Sequence, residues 1–249
     1  MPSDDSVQAV ILAAGEGTRL RPLTNNKPKA MVRIHDTPLL SYVMDFLLDT
    51  TDISDLIVVT GYKGDRIREY YGDAYRDTPI HYRYQHDALG LAHALLQTED
   101  IVTDDQFIVA LGDLVFSPTT NLDEFHATRR DTDGALLTEH VPEDEASRYG
   151  VLDVDDNDGI IDLVEKPDNP PTTQIISGIY ALPRDIYRAC HYVDPSDRGE
   201  YELTDAIRHL ITDKEDDGTD IRAIPMSNDE WRIDVGYPED QDEAEHRLE

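Results

Sequence analysis

Lysine is scarce in this chain: 249 residues contain five, Lys27, Lys29, Lys63, Lys166 and Lys214. Positive charge of any kind is thin, with 22 Lys and Arg against 53 Asp and Glu and a net charge of -31. Such a surface repels phosphate backbones and anionic bilayers, which argues against nucleic acid or a membrane as partner. Cysteine is nearly absent too. Cys190 stands alone, so an internal disulfide is excluded, and it reads as helix packing in a reducing compartment. No run reaches the roughly eighteen consecutive apolar residues of a membrane span, and the opening MPSDDS lacks the basic-then-apolar pattern of a secretory signal. The expectation is a soluble cytoplasmic protein.

High net charge often accompanies disorder, but 39% hydrophobic residues fall here in periodic runs that can build a core. The acid excess instead suits molar salt, where the Debye length shrinks to about 3 Å and repulsion between surface carboxylates is screened. A halophilic protein is expected.

Short β-branched runs alternate with helical segments. Residues 7–14, 55–61, 80–85 and 106–113 read as strands, the first, second and fourth apolar enough to be buried on both faces. Helices are expected over 38–50, 63–72 and 89–100. That alternation predicts an α/β fold with a Rossmann-like, mostly parallel central sheet and helices on both faces. Ligands of such sheets bind at the carboxyl ends of strands, which draws attention to the loops after Leu12 and Leu111.

The second half reads differently. Strands are expected over 134–141, 149–155, 160–166, 174–183, near 219–225 and over 231–236, with helices near 184–192 and 202–213. This pattern suggests an added β layer that binds substrate. With no Ser/Gly-rich linker and no internal repeat, residues 1–249 read as one domain, about 7–130 and about 131–249 being its halves.

The stretch AVILAAGEGTRLRPLTNNKPKAM, residues 9–31, sets Gly15 and Gly17 after a buried strand and follows them with Arg19, Arg21, Lys27 and Lys29. Glycines there allow a loop to wrap an anion with its N–H groups. It is neither a Walker loop, which needs GxxxxGK[ST], nor a Rossmann fingerprint, whose third glycine is missing and whose helix Pro22 discourages. On its own the glycine pair fits a tight structural turn as well as a phosphate site. A concentration of basic residues in so acidic a chain favours the phosphate site.

AAGEGTRLRPLT followed by KPKAM resembles the signature of the sugar-1-phosphate nucleotidyltransferases. Further matches follow in family order: YQHDALGLAHAL (84–95), LGD (111–113), RYGV (148–151), VEKP (164–167), SGIY (177–180), GEYELTDAI (199–207) and WRIDVG (231–236). The resemblance covers nearly the whole chain and points to glucose-1-phosphate thymidylyl- or uridylyltransferases, while the composition points to a haloarchaeon-like source. It implies the nucleotide-diphospho-sugar transferase fold. It also implies nucleotidyl transfer from a nucleoside triphosphate to a sugar 1-phosphate, with UTP or dTTP and glucose 1-phosphate as substrates and Mg²⁺ as cofactor.

In that reaction two polyanions must meet, so catalysis is mostly charge neutralisation and positioning. Arg19 offers a planar fork to the triphosphate and Lys29 a compact charge for the α-phosphate or the departing pyrophosphate. Asp113 and Asp234 match the family's two Mg²⁺-holding aspartates, and Asp113 joins Arg19 and Lys29 in the catalytic set. Nucleotide contacts fall to Ala14, Gly15, Gly17, Thr18, Arg19, Gln85, Leu89 and Gly90; the Gln85 amide can pair with a pyrimidine edge. Gly150, Glu165, Lys166, Ser177 and Tyr180 are the sugar-side candidates. Arg21 reads as a solvated charge, and Lys27 is left unassigned.

Two other patterns are set aside. Residues 154–165, VDDNDGIIDLVE, approach a calcium loop but put Val154 at the first ligand position and sit between strand-like flanks, so a hairpin turn is expected. Nine histidines, His81, His86 and His93 among them, form no metal-ligand spacing. The chain ends soon after Asp240, so the β-helical acetyltransferase domain of some relatives is not expected. Alternatives within the class are N-acetylglucosamine-1-phosphate uridylyl and mannose-1-phosphate guanylyl transfer. Outside it stands a non-catalytic regulatory subunit, against which Arg19, Lys29, Asp113 and Asp234 argue. The choice of UTP or dTTP, and whether the chain forms a homo-oligomer, stay open.

Overall fold

The computed structural model describes residues 6–120, 122–212 and 219–249. In chain order its first elements are β1 (Val7–Ala13), β2 (Arg33–Ile34), β3 (Thr37–Pro38), α1 (Leu39–Thr50), β4 (Ile53–Thr60), α2 (Asp65–Tyr71), β5 (Ala74–Tyr75) and β6 (Thr78–Tyr84). Then come α3 (Leu91–Leu96), β7 (Gln106–Leu111), β8 (Leu114–Phe116), α4 (Asp123–Asp131), β9 (Gly134–His140), α5 (Glu143–Ala146), β10 (Gly150–Val154) and β11 (Ile160–Glu165). The last are β12 (Gln174–Pro183), α6 (Ile186–Cys190), α7 (Leu203–Thr212), β13 (Ile221–Pro225), β14 (Arg232–Asp234) and α8 (Pro238–Arg247).

The contacts divide the chain into two compact units. The first gathers the described residues of Met1–Ala88, Val109–Asn121 and Ser227–Glu249; the second gathers Leu89–Ile108 and Leu122–Met226.

In the first unit β1, β4 and β6 run parallel, with Leu12 beside Val59 and Val59 beside Arg83. Every residue of β1 is buried, as an apolar strand covered on both faces requires. Helix α1 buries Leu39, Leu40, Val43, Met44 and Leu47, a stripe at helical spacing. Its Phe46 stacks on Phe116 of β8, ring centroids 4.2 Å apart. A second apolar cluster joins Leu20, Val32, Ile34, Val115, Ile233, Val235 and Ala244. It ties the loop after β1 to the C-terminal segment, where β14 pairs antiparallel with β8.

The second unit is mainly antiparallel. β12 pairs with β9 and β10, β10 pairs with β11, and β13 joins β9 in parallel. The long strand β12 breaks register between Ile176 and Tyr180, around a left-handed Gly178. Between β10 and β11, Asp155 accepts the N–H groups of Asn157 and Gly159, the expected hairpin turn. Helix α7 buries Leu203, Ala206, Ile207 and Leu210.

This is the α/β architecture expected, with parallel strands in one unit and a largely antiparallel layer in the other. Three helices, α4, α5 and α8, lay outside the sequence reading. α8 is half acidic and buries Ala244 alone, so it carries no apolar period; α4 buries Phe125 but is otherwise polar, and α5 is a single acidic turn that buries only Ala146. The helix expected over 89–100 is shorter, Leu91–Leu96: Gly90 at φ 102 lies outside helical backbone and delays its start, and residues 97–101 continue as turns. Residue 213, the expected end of α7, lies outside the described residues.

Candidate active site

The glycine-bearing loop after β1 forms a turn rather than a helix. Gly17 adopts φ 67 and caps a single 3-10 turn, Thr18–Leu20. The Leu20 N–H donates to the Gly17 carbonyl at 3.0 Å, and the Thr24 hydroxyl donates to the same oxygen at 2.7 Å. A Cβ on Gly17 would lie 2.9 Å from the Cβ of Lys29. The glycine thus lets the turn close over Lys29, with Ala14 half-buried and Gly15, Thr18 and Arg19 facing outward. Arg19 sits over the ring of Tyr237, 5.3 Å from its centroid, and donates to the tyrosine hydroxyl at 3.2 Å.

Lys29 meets both predicted metal-binding carboxylates. Its ammonium donates to Asp113 Oδ2 and, at 3.3 Å, to Asp234 Oδ1. Asp113 follows β7 and Asp234 ends β14, and the pairing of β14 with β8 places Asp234 beside Leu114. Burial opposes charge on Lys29, but the two carboxylates outweigh it and raise its pKa above the ordinary value. Burial raises the Asp113 carboxyl; Lys29 pulls it back down, and Asp234 adds to the rise. The remaining basic residues of the loop behave differently. Arg21 pairs with Glu16 at 2.5 Å in an exposed contact, the solvated role expected of it. Lys27 is held below its ordinary pKa by partial burial and then by Arg33. Gln85, at the end of β6, is buried and donates its backbone N–H to the Thr60 carbonyl.

In the second unit the sugar-side candidates divide into two sets. Gly150 stands opposite Glu165 in the β10–β11 ladder. Glu165 then meets the Lys166 ammonium at 3.2 Å, the Thr204 hydroxyl at 3.2 Å and Arg198 at 3.5 Å. Ser177 and Tyr180 lie on β12, both buried; Ser177 Oγ has no hydrogen-bond partner among the described residues. Leu89 and Gly90 are pressed against Tyr201, whose N–H donates to the Leu89 carbonyl at 2.7 Å.

The nucleotidyl transferase family profile matches residues 8–249. The chain belongs to the nucleotidyl transferase family. It is 47% identical over 245 residues to a UTP–glucose-1-phosphate uridylyltransferase, AglF, of Haloferax volcanii, covering 98% of this chain and 97% of that one. A glucose-1-phosphate thymidylyltransferase of Streptomyces griseus is 35% identical over 224 residues, 89% of this chain and 61% of the relative. Among solved structures, a UDP-glucose pyrophosphorylase complexed with UDP-glucose superposes with a TM-score of 0.86 at 26% identity, covering 98% of both chains.

The donor set of this nucleotidyltransferase fits Mg²⁺. Asp113 Oδ1 is buried without a hydrogen-bond partner among the described residues, a cost that a bound cation would remove. Asp113 and Asp234 supply hard oxygen ligands, and no group of three or more His, Cys, Asp or Glu side chains gathers for a metal among the described residues. Two carboxylates completed by phosphate and water suit magnesium better than an all-protein cage.

Two functional candidates escaped the sequence reading. Arg198 bridges Glu165 and Glu202, the latter at 2.8 Å. Its position just before the quoted GEYELTDAI was the available signal. Tyr237 reaches Arg19 from 218 residues away, and no local pattern announces that contact.

Proposed function

We propose that this chain transfers a uridylyl or thymidylyl group from the nucleoside triphosphate to glucose 1-phosphate, releasing pyrophosphate, in a Mg²⁺-dependent reaction. The observation that carries the proposal is the Lys29–Asp113–Asp234 cluster beneath the Gly17 turn, in a chain 47% identical to a relative of that name. UTP is favoured over dTTP on the same likeness.

The sugar phosphate is already an anionic nucleophile, so the site needs no general base. Its oxygen attacks the α-phosphorus in line, and pyrophosphate leaves. Arg19 binds the triphosphate with a planar fork, and Lys29, held charged by its two carboxylates, neutralises charge where the α-phosphate reacts. The Gly15–Arg19 loop presents backbone N–H groups to the phosphates. Gln85 reads the pyrimidine edge through its amide. Lys166 and Arg198 hold the sugar phosphate, and Glu165, which orients both cations, accepts hydrogen bonds from sugar hydroxyls. Magnesium, when bound by Asp113 and Asp234, supplies Lewis-acid neutralisation of the phosphates.

Residues 1–249 act as one catalytic domain in this reading, in the cytoplasm and at high salt. No helix among the described residues is long and apolar enough to cross a membrane. The test is pyrophosphate release in molar KCl with Mg²⁺, over four nucleoside triphosphates against glucose, N-acetylglucosamine, galactose and mannose 1-phosphates. A single strong response with UTP or dTTP and glucose 1-phosphate is expected. A response confined to another sugar corrects the substrate, and silence with nucleotide still bound overturns the enzymatic reading in favour of a regulatory subunit.

A further inference from the structure

An arginine that must grip a triphosphate from an exposed turn loses rotamer freedom when it does so, and a side chain already held in place loses less. Arg19 is exposed, on a turn only three residues long. Among the described residues, two contacts hold its guanidinium, both from Tyr237: the ring at 5.3 Å and the hydroxyl at 3.2 Å. A guanidinium over a tyrosine face is an attractive arrangement of measurable strength.

Tyr237 is itself fixed. It precedes α8, and its N–H donates to Asp240 at 2.6 Å while the Gly236 N–H donates to the same carboxylate oxygen at 2.9 Å. Val235, two residues earlier, and Ala244, within α8, share one apolar cluster with Leu20, the neighbour of Arg19. The backbones carrying the tyrosine and the arginine are therefore packed against common residues. The same segment carries Asp234. One short stretch of chain, 234–240, thus sets a metal-binding carboxylate and the aromatic rest for the triphosphate arginine.

We infer that Tyr237 is a positioning residue for Arg19, holding the guanidinium in its nucleotide-binding orientation before the triphosphate arrives. The inference rests on the nucleotidyl-transfer reading above. Tyr237 acts through Arg19 and not on substrate, so its contribution exists only while Arg19 is present.

A double-mutant cycle tests this on the full chain in molar KCl, comparing wild type, Tyr237→Leu, Arg19→Ala and the pair. Tyr237→Leu is expected to lower kcat/KM for UTP about tenfold when Arg19 is intact and less than about twofold in the Arg19→Ala background, with KM for glucose 1-phosphate unmoved. Tyr237→Phe, which keeps the ring and loses only the hydroxyl, recovers part of the loss. Equal losses on both backgrounds, or a loss that follows the melting temperature of each variant, would overturn the inference while leaving the transfer reading intact. If the leucine variant does not fold, the phenylalanine variant completes the same cycle, with an expected loss of about twofold to fivefold only where Arg19 is intact. A wild-type protein without nucleotidyl transfer overturns the underlying reading and the inference with it.

Discussion

The backbone N–H of Val235 donates to the carbonyl oxygen of Asp113 across 3.1 Å. That bond continues the β8–β14 pairing past Asp234 and joins the backbones of the two segments that supply the carboxylates. Backbone fixation of this kind leaves little for the side chains to reorganise, which is how a site holds charge at low cost.

Asp113→Asn removes a negative charge that, in the proposed reaction, would hold the Mg²⁺ that neutralises the phosphates. Turnover is expected to fall on the order of 10²-fold or more, with the fold retained. Steady-state pyrophosphate release across a Mg²⁺ series checks it. Near-normal turnover at saturating Mg²⁺ would remove Asp113 from the catalytic set.

Lys29→Ala leaves two neighbouring carboxylates facing each other without their ammonium. A loss of about 2 kcal/mol is expected, less than the ~3–5 kcal/mol of a fully buried broken pair, because all three side chains retain some exposure. Added Mg²⁺ should restore the melting temperature of the variant more than it raises that of wild type, since the cation replaces the missing charge. The catalytic rate should stay low throughout. Melting curves over a Mg²⁺ titration, read beside kcat, separate the two effects, and a variant with the wild-type rate would reduce Lys29 to a structural charge.

Cys190 is buried, and that burial, with a smaller contribution from Glu99, pushes its thiol up to about 12. A thiol-reactive dye at pH 8 should therefore leave the native protein unmodified and label it on unfolding. The same shift makes stability fall as pH rises. The thiol ionises in the unfolded chain near pH 9 but stays protonated in the folded one until about 12, so the unfolded state gains between those values. Cys190→Ala should flatten that part of the stability profile, and a profile identical to wild type would contradict the assignment.

What was legible in the sequence follows from how each signal is written. β1 and β7 announce themselves because burial on both faces demands a nearly continuous apolar run, and the ends of these two strands then locate the Gly17 turn and Asp113. Asp234 stood out against a background of acidic residues because it lies in WRIDVG, matched in family order and apolar on both sides of the aspartate; Ile233 and Val235 are core residues. The acid-rich α8 gave no such contrast, since its buried contact is a single alanine. Arg198, four residues before Glu202, had a local signal in its place just before GEYELTDAI, whereas Tyr237 contacts a partner distant in sequence, Arg19. Tertiary pairing of that kind leaves no period and no spacing to read.

Gly90 offers a test of backbone geometry apart from charge. It holds φ at 102, and an added Cβ would lie 2.5 Å from the carbonyl oxygen of Tyr201 and 2.7 Å from its nitrogen, both backbone atoms that no rotamer change can move. Gly90→Ala should cost about 1–3 kcal/mol for the backbone conformation alone, with the close contact adding to it. The Ala92 N–H also donates to Tyr201 at 3.0 Å, so relief of the clash must pull α3 away from the segment that leads into α7. Denaturant unfolding measures the loss, and UTP binding in parallel measures its reach. A fully stable Gly90→Ala protein would mean that the segment around Tyr201 yields, and the Leu89–Gly90 backbone would then be too soft to select a base.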